Sequence, residues 1–95
     1  VFERALFQFR RLVASGRYLV TLHCLEELEA DGLTILDVEG CVMTGTIVER
    51  QKDRSNGEWK FVIQGWSTAG EECVVVVKWT PTGRLRVLTA FALDR

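Results

Sequence analysis

Apolar side chains recur at three- and four-residue steps through residues 1–45, and from residue 46 onward they alternate. Phe2, Ala5, Leu6, Phe9, Leu12 and Val13 draw one apolar stripe, which predicts a first helix. Gly16 is a stop that tolerates positive φ. Tyr18–Val20 is short and β-prone. Thr21 is placed to cap a second helix, with Leu22, Leu25 and Leu28 expected inward, Glu26, Glu27 and Glu29 outward, and Gly32 at its end. Thr34 with Asp37 three residues later resembles a capping box. It opens a third helix whose inner face is Ile35, Val38 and Val42, ended by Gly45.

The second half predicts strands at about 46–52, 58–66, 72–80 and 84–92. Asn56-Gly57 is expected to form a type I′ hairpin turn, with positive φ at both residues. Ala69-Gly70 and Pro81-Thr82-Gly83 punctuate the next two connections, and strands joined this closely must pair antiparallel. The expected architecture is α+β, with N-terminal helices packed on one face of a four- to five-stranded antiparallel sheet. It forms one domain over 1–95, divided into a helical half (1–45) and a β-meander (46–95). Alternation assigns Trp59, Phe61, Ile63, Cys73, Val75, Val77, Trp79, Leu85, Val87 and Phe91 to the face the helices cover. Lys60, Val62, Gln64, Trp66, Val74, Val76, Lys78, Arg84, Arg86 and Leu88 fall on the other.

Composition narrows the class. A chain that is 47% hydrophobic and 26% charged, with one proline, is neither disordered nor collagen-like. Its longest uncharged apolar run, Cys73–Val77, is far short of the roughly 20 residues that span a bilayer. Nothing at the start reads as an export signal, so a cytoplasmic protein without membrane association is expected. Cys24, Cys41 and Cys73 are an odd, widely spaced set, and they read as reduced core thiols. With His23 they could complete a zinc set, but no C-x-x-C pair supports it, and neither metal nor cofactor is expected.

The net charge of −1 hides an uneven distribution: +3 over residues 1–17, −6 over 18–45 and +2 over 46–95. On the face left uncovered by helices, every charge except the terminal Glu58 and Glu72 is positive. That face is either a solvated surface whose cations discourage edge pairing or a platform for phosphate. Phosphate-loop, dinucleotide-fold and zinc-protease motifs are missing. Gly65–Gly70 reads as a turn, since a nucleophile elbow needs a strand-to-helix bend. The acidic cluster Glu26, Glu27, Glu29 and Asp31 is a solvated helix face or a partner surface. His23, the one histidine, is either structural or a site residue.

The run Arg17-Tyr18-Leu19-Val20-Thr21-Leu22-His23-Cys24-Leu25-Glu26-Glu27-Leu28, then Asp31-Gly32-Leu33-Thr34 and Asp37-Val38, resembles a bacterial family, the domain-of-unknown-function family forty-two fifty-eight. Gly45-Thr46-Ile47-Val48-Glu49, Val62-Ile63-Gln64-Gly65, Val74–Val77 and Val87-Leu88-Thr89-Ala90-Phe91 extend the similarity over nearly the whole chain. Many members have arginines where this chain has Glu27 and Asp31.

The resemblance implies a RelE- or MqsR-like toxin of a type II toxin–antitoxin pair, often held inactive by a small YgiT-type zinc-finger antitoxin. It further implies metal-independent cleavage of RNA or ribosome-bound mRNA on the open sheet face, with no DNA-binding element of its own. His23 and Thr89 carry over by motif. Strand parity supplies the rest: Lys60, Lys78 and Arg86 join His23 as candidate catalytic residues, and Gln64, Trp66 and Arg84 are the candidate RNA-binding ones. Gln64 would hydrogen-bond phosphate or base, and Trp66 would stack on an unpaired base. The general base would be Tyr18 or a lysine of lowered pKa. The alternatives are a non-enzymatic interaction module and a toxin homologue that keeps the fold without the activity.

Overall fold

The computed structural model describes residues 1–93, so residues 94 and 95 of the expected domain lie outside the described residues. Three helices, α1 (Glu3–Ala14), α2 (Leu22–Asp31) and α3 (Ile35–Thr44), precede four strands, β2 (Thr46–Lys52), β3 (Trp59–Trp66), β4 (Glu72–Trp79) and β5 (Leu85–Ala92). A short strand, β1 (Tyr18–Val20), lies between α1 and α2. The α+β architecture is the one the hydrophobic periods predict. The sheet, however, is mixed: its order is β1-β5-β4-β3-β2, and β1 runs parallel to β5 while the other pairs are antiparallel. A parallel neighbour is possible because two helices and three strands of chain separate β1 from β5, ample for a crossover.

The caps are those the sequence specifies. The Thr21 hydroxyl accepts the Cys24 N–H at 3.1 Å, and Thr34 with Asp37 forms a full capping box. One buried stripe per helix meets the sheet: Phe9 and Val13 from α1, Cys24 and Leu28 from α2, and Val38, Cys41 and Val42 from α3. Phe9 packs on Trp79 with ring centroids 4.8 Å apart, and both rings meet Phe61. Such pairs contribute about 1 kcal/mol each beyond their burial. Among the described residues no helix is long and apolar enough to cross a membrane.

Two expectations about local structure are corrected. Leu22 and Leu25 do not face inward; they are 73% and 43% exposed. The inward stripe of α2 is Cys24, Glu27, Leu28 and Asp31, because this helix lies along the border of the sheet, where backbone donors need acceptors. Nor is Asn56-Gly57 a type I′ turn: glycines alone take positive φ, and Gly57 has φ 73°. Asp53 instead closes a wider loop. Its N–H donates to Glu58 O, its carbonyl accepts the Gly57 N–H, and its carboxylate accepts the Ser55 N–H and hydroxyl.

Asp37 does more than cap α3. One carboxylate oxygen accepts from the Thr34 N–H and hydroxyl, and the other accepts from the Thr68 N–H at 3.0 Å and its hydroxyl at 2.6 Å. The side chain thus ties the β3–β4 turn to the start of α3. Burial alone would raise its pKa, but four donors outweigh that, and the carboxyl sits below its usual range. A depressed folded pKa adds stability that is complete above the unfolded value of about 3.9 and is lost as pH falls through the folded one. Asp37→Asn is therefore expected to cost about 2–3 kcal/mol near neutral pH. Urea melts from about pH 7 down to about pH 2 should show a flatter acid limb than the wild type. Equal acid sensitivity would refute the assignment.

Candidate functional site

The face of the sheet away from the helices carries the candidate residues. Lys78 pairs with Arg86, and Phe61 pairs with Val77, so Lys60 comes level with Lys78 one step further along. Lys60, Lys78 and Arg86 therefore form one row across β3, β4 and β5. These are the three central strands, so the cations are not guarding an edge, and that explanation for them is removed. Like charges opposite one another on neighbouring strands are destabilising. Part of that repulsion is offset: the Lys78 ammonium meets the Glu58 carboxylate at 3.0 Å. Asp53 also lies close, its carboxyl held below the usual range by Ser55 and, less, by Lys60 and Lys78. Arg86 has no ion pair among the described residues.

Beyond the row Val62 lies beside Val76, and Val74 lies between Gln64 and Phe91, but Glu49 of β2 stands next to Val62 on the same face, so Glu58 and Glu72 are not the face's only carboxylates as expected. Gln64 shares the face, but its amide donates to Glu72 at 2.7 Å. Trp66, half exposed, stands at the far end of β3 opposite Glu72, away from the cations. Arg84 is exposed in the β4–β5 turn rather than on a strand, and its N–H donates to the Thr80 hydroxyl. The structure thus brings together Lys60, Lys78 and Arg86, places Arg84 just before them, and leaves Gln64 and Trp66 at the opposite end.

Strict alternation fails on β5. Val77 pairs with Val87 and Val76 with Thr89, so Leu88 is an extra residue. After such a bulge the two faces exchange. Ala90 and Ala92 consequently enter the core, and Phe91, expected inside, stands on the open face at 37% exposure. Trp59 also departs from its expected burial. At the end of the sheet it is 41% exposed, covered by the Arg50 guanidinium 3.9 Å from its ring.

The bulge places Thr89 one row beyond Arg86 on the open face, beside α2. There the Thr89 hydroxyl and the Ala90 N–H both donate to Glu27, and the His23 ring lies 3.4 Å from the same carboxylate oxygen. Asp31, one turn on, accepts the Ala92 N–H at 2.9 Å. Glu27 and Asp31 are therefore not part of a solvated acidic face. They close the border of β5 where β1 ends. Of that cluster, Glu26 and Glu29 are the exposed ones. His23 remains 73% exposed, so a core role for it is ruled out. It borders the open face without contacting Lys60, Lys78 or Arg86.

Tyr18 is excluded as a base. Its hydroxyl donates to Glu39 at 2.5 Å beneath the sheet, and burial followed by that carboxylate pushes its pKa up to about 12. The turn after β3 is likewise structural, with the Ser67 hydroxyl oxygen accepting the N–H groups of Ala69 and Glu71. Among the described residues, no three His, Cys, Asp or Glu side chains cluster closely enough to hold a metal ion.

The family described as Domain of unknown function (DUF4258) matches residues 20–92, more than three quarters of the chain. The chain belongs to this family. The match makes it a DUF4258 domain from the end of β1 to the end of β5, with α1 preceding the matched span. No curated protein and no solved structure matches the chain. Within the DUF4258 span, several of the recognised stretches have structural duties: Asp37 ties a turn, and Gly45 meets Gly65 where α3 crosses β3.

Proposed function

We propose that this domain binds single-stranded RNA across its open sheet face and cleaves it, as the toxin of a pair whose antitoxin holds it inactive in the cytoplasm. The observation that carries the reading is the Lys60–Lys78–Arg86 row on central strands, where cations add nothing to edge protection and cost stability to their neighbours. Phosphate is the counter-charge such a row fits, and the apolar strip of Val62 and Val76 beside it suits the faces of unstacked bases.

The chemistry asks for a base on the 2′-hydroxyl, a cation on the phosphorane and an acid for the leaving 5′-oxygen. With Tyr18 excluded, a lysine of the row and His23, whose Nε2 lies 3.4 Å from Glu27, are left as bases, and we assign the step to His23. Arg86 and Lys78 stabilise the phosphorane, and Lys60 donates the proton to the 5′-oxygen. The 2′-oxygen forms the new bond to phosphorus as the P–O5′ bond breaks, leaving a 2′,3′-cyclic phosphate and a 5′-hydroxyl.

His23→Ala is the decisive variant. An exposed residue contributes little to folding, so melting and RNA binding should match the wild type, while cleavage of a single-stranded RNA in EDTA should fall about 100-fold or more. Unchanged cleavage by His23→Ala removes the base. RNA left intact by the wild-type domain removes the enzyme and favours a second reading, a binding module without catalysis. That reading has its own support: Lys78 and Gln64 are already satisfied by Glu58 and Glu72.

A further inference from the structure

At the start of β5 the chain makes a second cationic feature, on the helix side of the sheet. A cleft of about 630 Å³ lies between the last turn of α1 and the β4–β5 turn, lined by Gln8, Arg11, Arg17, Trp79 and Gly83 among others. Its volume falls in the range of small-molecule sites, roughly 300–1,000 Å³. No carboxylate lines it. Arg11 and Arg17 are both exposed, and neither has an ion pair among the described residues; the Arg11 guanidinium lies 5.9 Å from the Phe7 ring. The end of α1 contributes about half a negative charge there, against two full positive ones. Trp79 backs onto Phe9 and Phe61, which hold its indole in place as one wall.

Position joins this cleft to the sheet. Gly83 lines it, and Arg84 and Arg86 follow directly in sequence. Arg17 is fixed at the same level, since its carbonyl accepts the Leu85 N–H at 3.1 Å. Cations thus run from the Lys60–Lys78–Arg86 row, past Arg84 at the turn, to Arg17 and Arg11. Gln8, Arg11 and Arg17 all precede the span shared with the family.

We infer that this cleft is a second RNA subsite, taking the phosphate and base of a nucleotide flanking the strand held on the open face. It rests on the RNA reading above and extends it round the end of the sheet. Two arginine forks suit phosphate oxygens, and a fixed indole beside them suits a base.

The test is NMR titration of the full chain at low salt, with a hexa-adenylate RNA and separately with adenosine 5′-monophosphate. The Trp79 indole N–H is followed after assignment with Trp→Phe variants. The hexamer should shift that resonance. Arg11→Ala with Arg17→Ala should remove the shift, weaken hexamer binding about tenfold and lower the salt slope by about 0.7 for each phosphate no longer neutralised. Both arginines are exposed, so the melting temperature should hold and loss of binding cannot be assigned to misfolding. If the hexamer binds and Arg86→Glu weakens it, but the double variant binds like wild type, the cleft is overturned and the sheet reading stands. If the hexamer shifts Trp79 and the double variant loses binding while Arg86→Glu does not, the sheet reading fails and the cleft survives. A Trp79 response to the mononucleotide alone overturns the subsite in favour of a small-ligand pocket. No response to either overturns it outright.

Discussion

Arg86→Glu is expected to abolish growth arrest and to weaken binding of single-stranded RNA about 100-fold at low salt, with the melting temperature nearly unchanged. The change lowers the charge of the Lys60–Lys78–Arg86 row by two. It also sets a carboxylate opposite Lys78, where it competes with phosphate for the ammonium. At about 5 Å between strands, each such pair is worth about 1 kcal/mol in a watery dielectric and more where Val62 and Val76 exclude solvent. A phosphate that is no longer neutralised keeps its counterions, so the salt dependence of binding should flatten. Stability should not fall, because Arg86 has no ion-pair partner to lose among the described residues and the change relieves its repulsion with Lys78. Lys78 is a poorer probe, since its loss strands Glu58. An Arg86→Glu protein that binds RNA and arrests growth like the wild type would end the platform idea.

Gly65→Ala should rank with Gly45→Ala as the single methyl addition most damaging to folding. A Cβ there would lie 2.4 Å from Cys41 O and 2.8 Å from Gly45 Cα, both backbone atoms that cannot swing aside. The helix α3 would have to lift off β3, disturbing the buried Cys41 and Val42. A cost of at least about 3 kcal/mol is expected. For a domain of this size that lowers the melting temperature by roughly 12 °C or more. Gly40→Ala is the matched control: its Cβ would meet Trp66 O at 3.2 Å, a gap that a few tenths of an ångström relieves. Thermal melts of the two variants decide the matter, and similar values would show that the α3–β3 packing is softer than its geometry.

Much of this fold can be read from the chain because its signals are local. Thr21, Thr34 and Asp37 mark helix starts by chemistry that acts within three residues, and alternation sorts the faces of β3 and β4 except for the burial of Trp59 and Val74. The errors arise where pairing over long separations decides. The Leu88 bulge depends on β4, so counting by twos along β5 carries Phe91 to the wrong face and hides why Thr89 matters. The parallel seat of β1 beside β5 joins residues far apart in sequence, and no local pattern encodes it. The candidate site divides the same way. Lys60, Lys78 and Arg86 are legible because they obey strand parity before the bulge. Glu27 and Asp31 are not, because carboxylates on a helix usually face water, and only the unpaired N–H groups of β5 give them another task. Arg11 and Arg17 carry no signal of their own, since the last turn of a helix is an ordinary place for arginine.

The closure of β5 by Glu27 and Asp31 also constrains how this sequence can drift. Arginine offers hydrogen-bond donors and no acceptor. Either acid changed to arginine would therefore turn a donor toward a backbone N–H, at Ala90 or at Ala92. Positions 27 and 89 are thus joined through one carboxylate, and a substitution at 27 or 31 must bring its own acceptor for the backbone of β5.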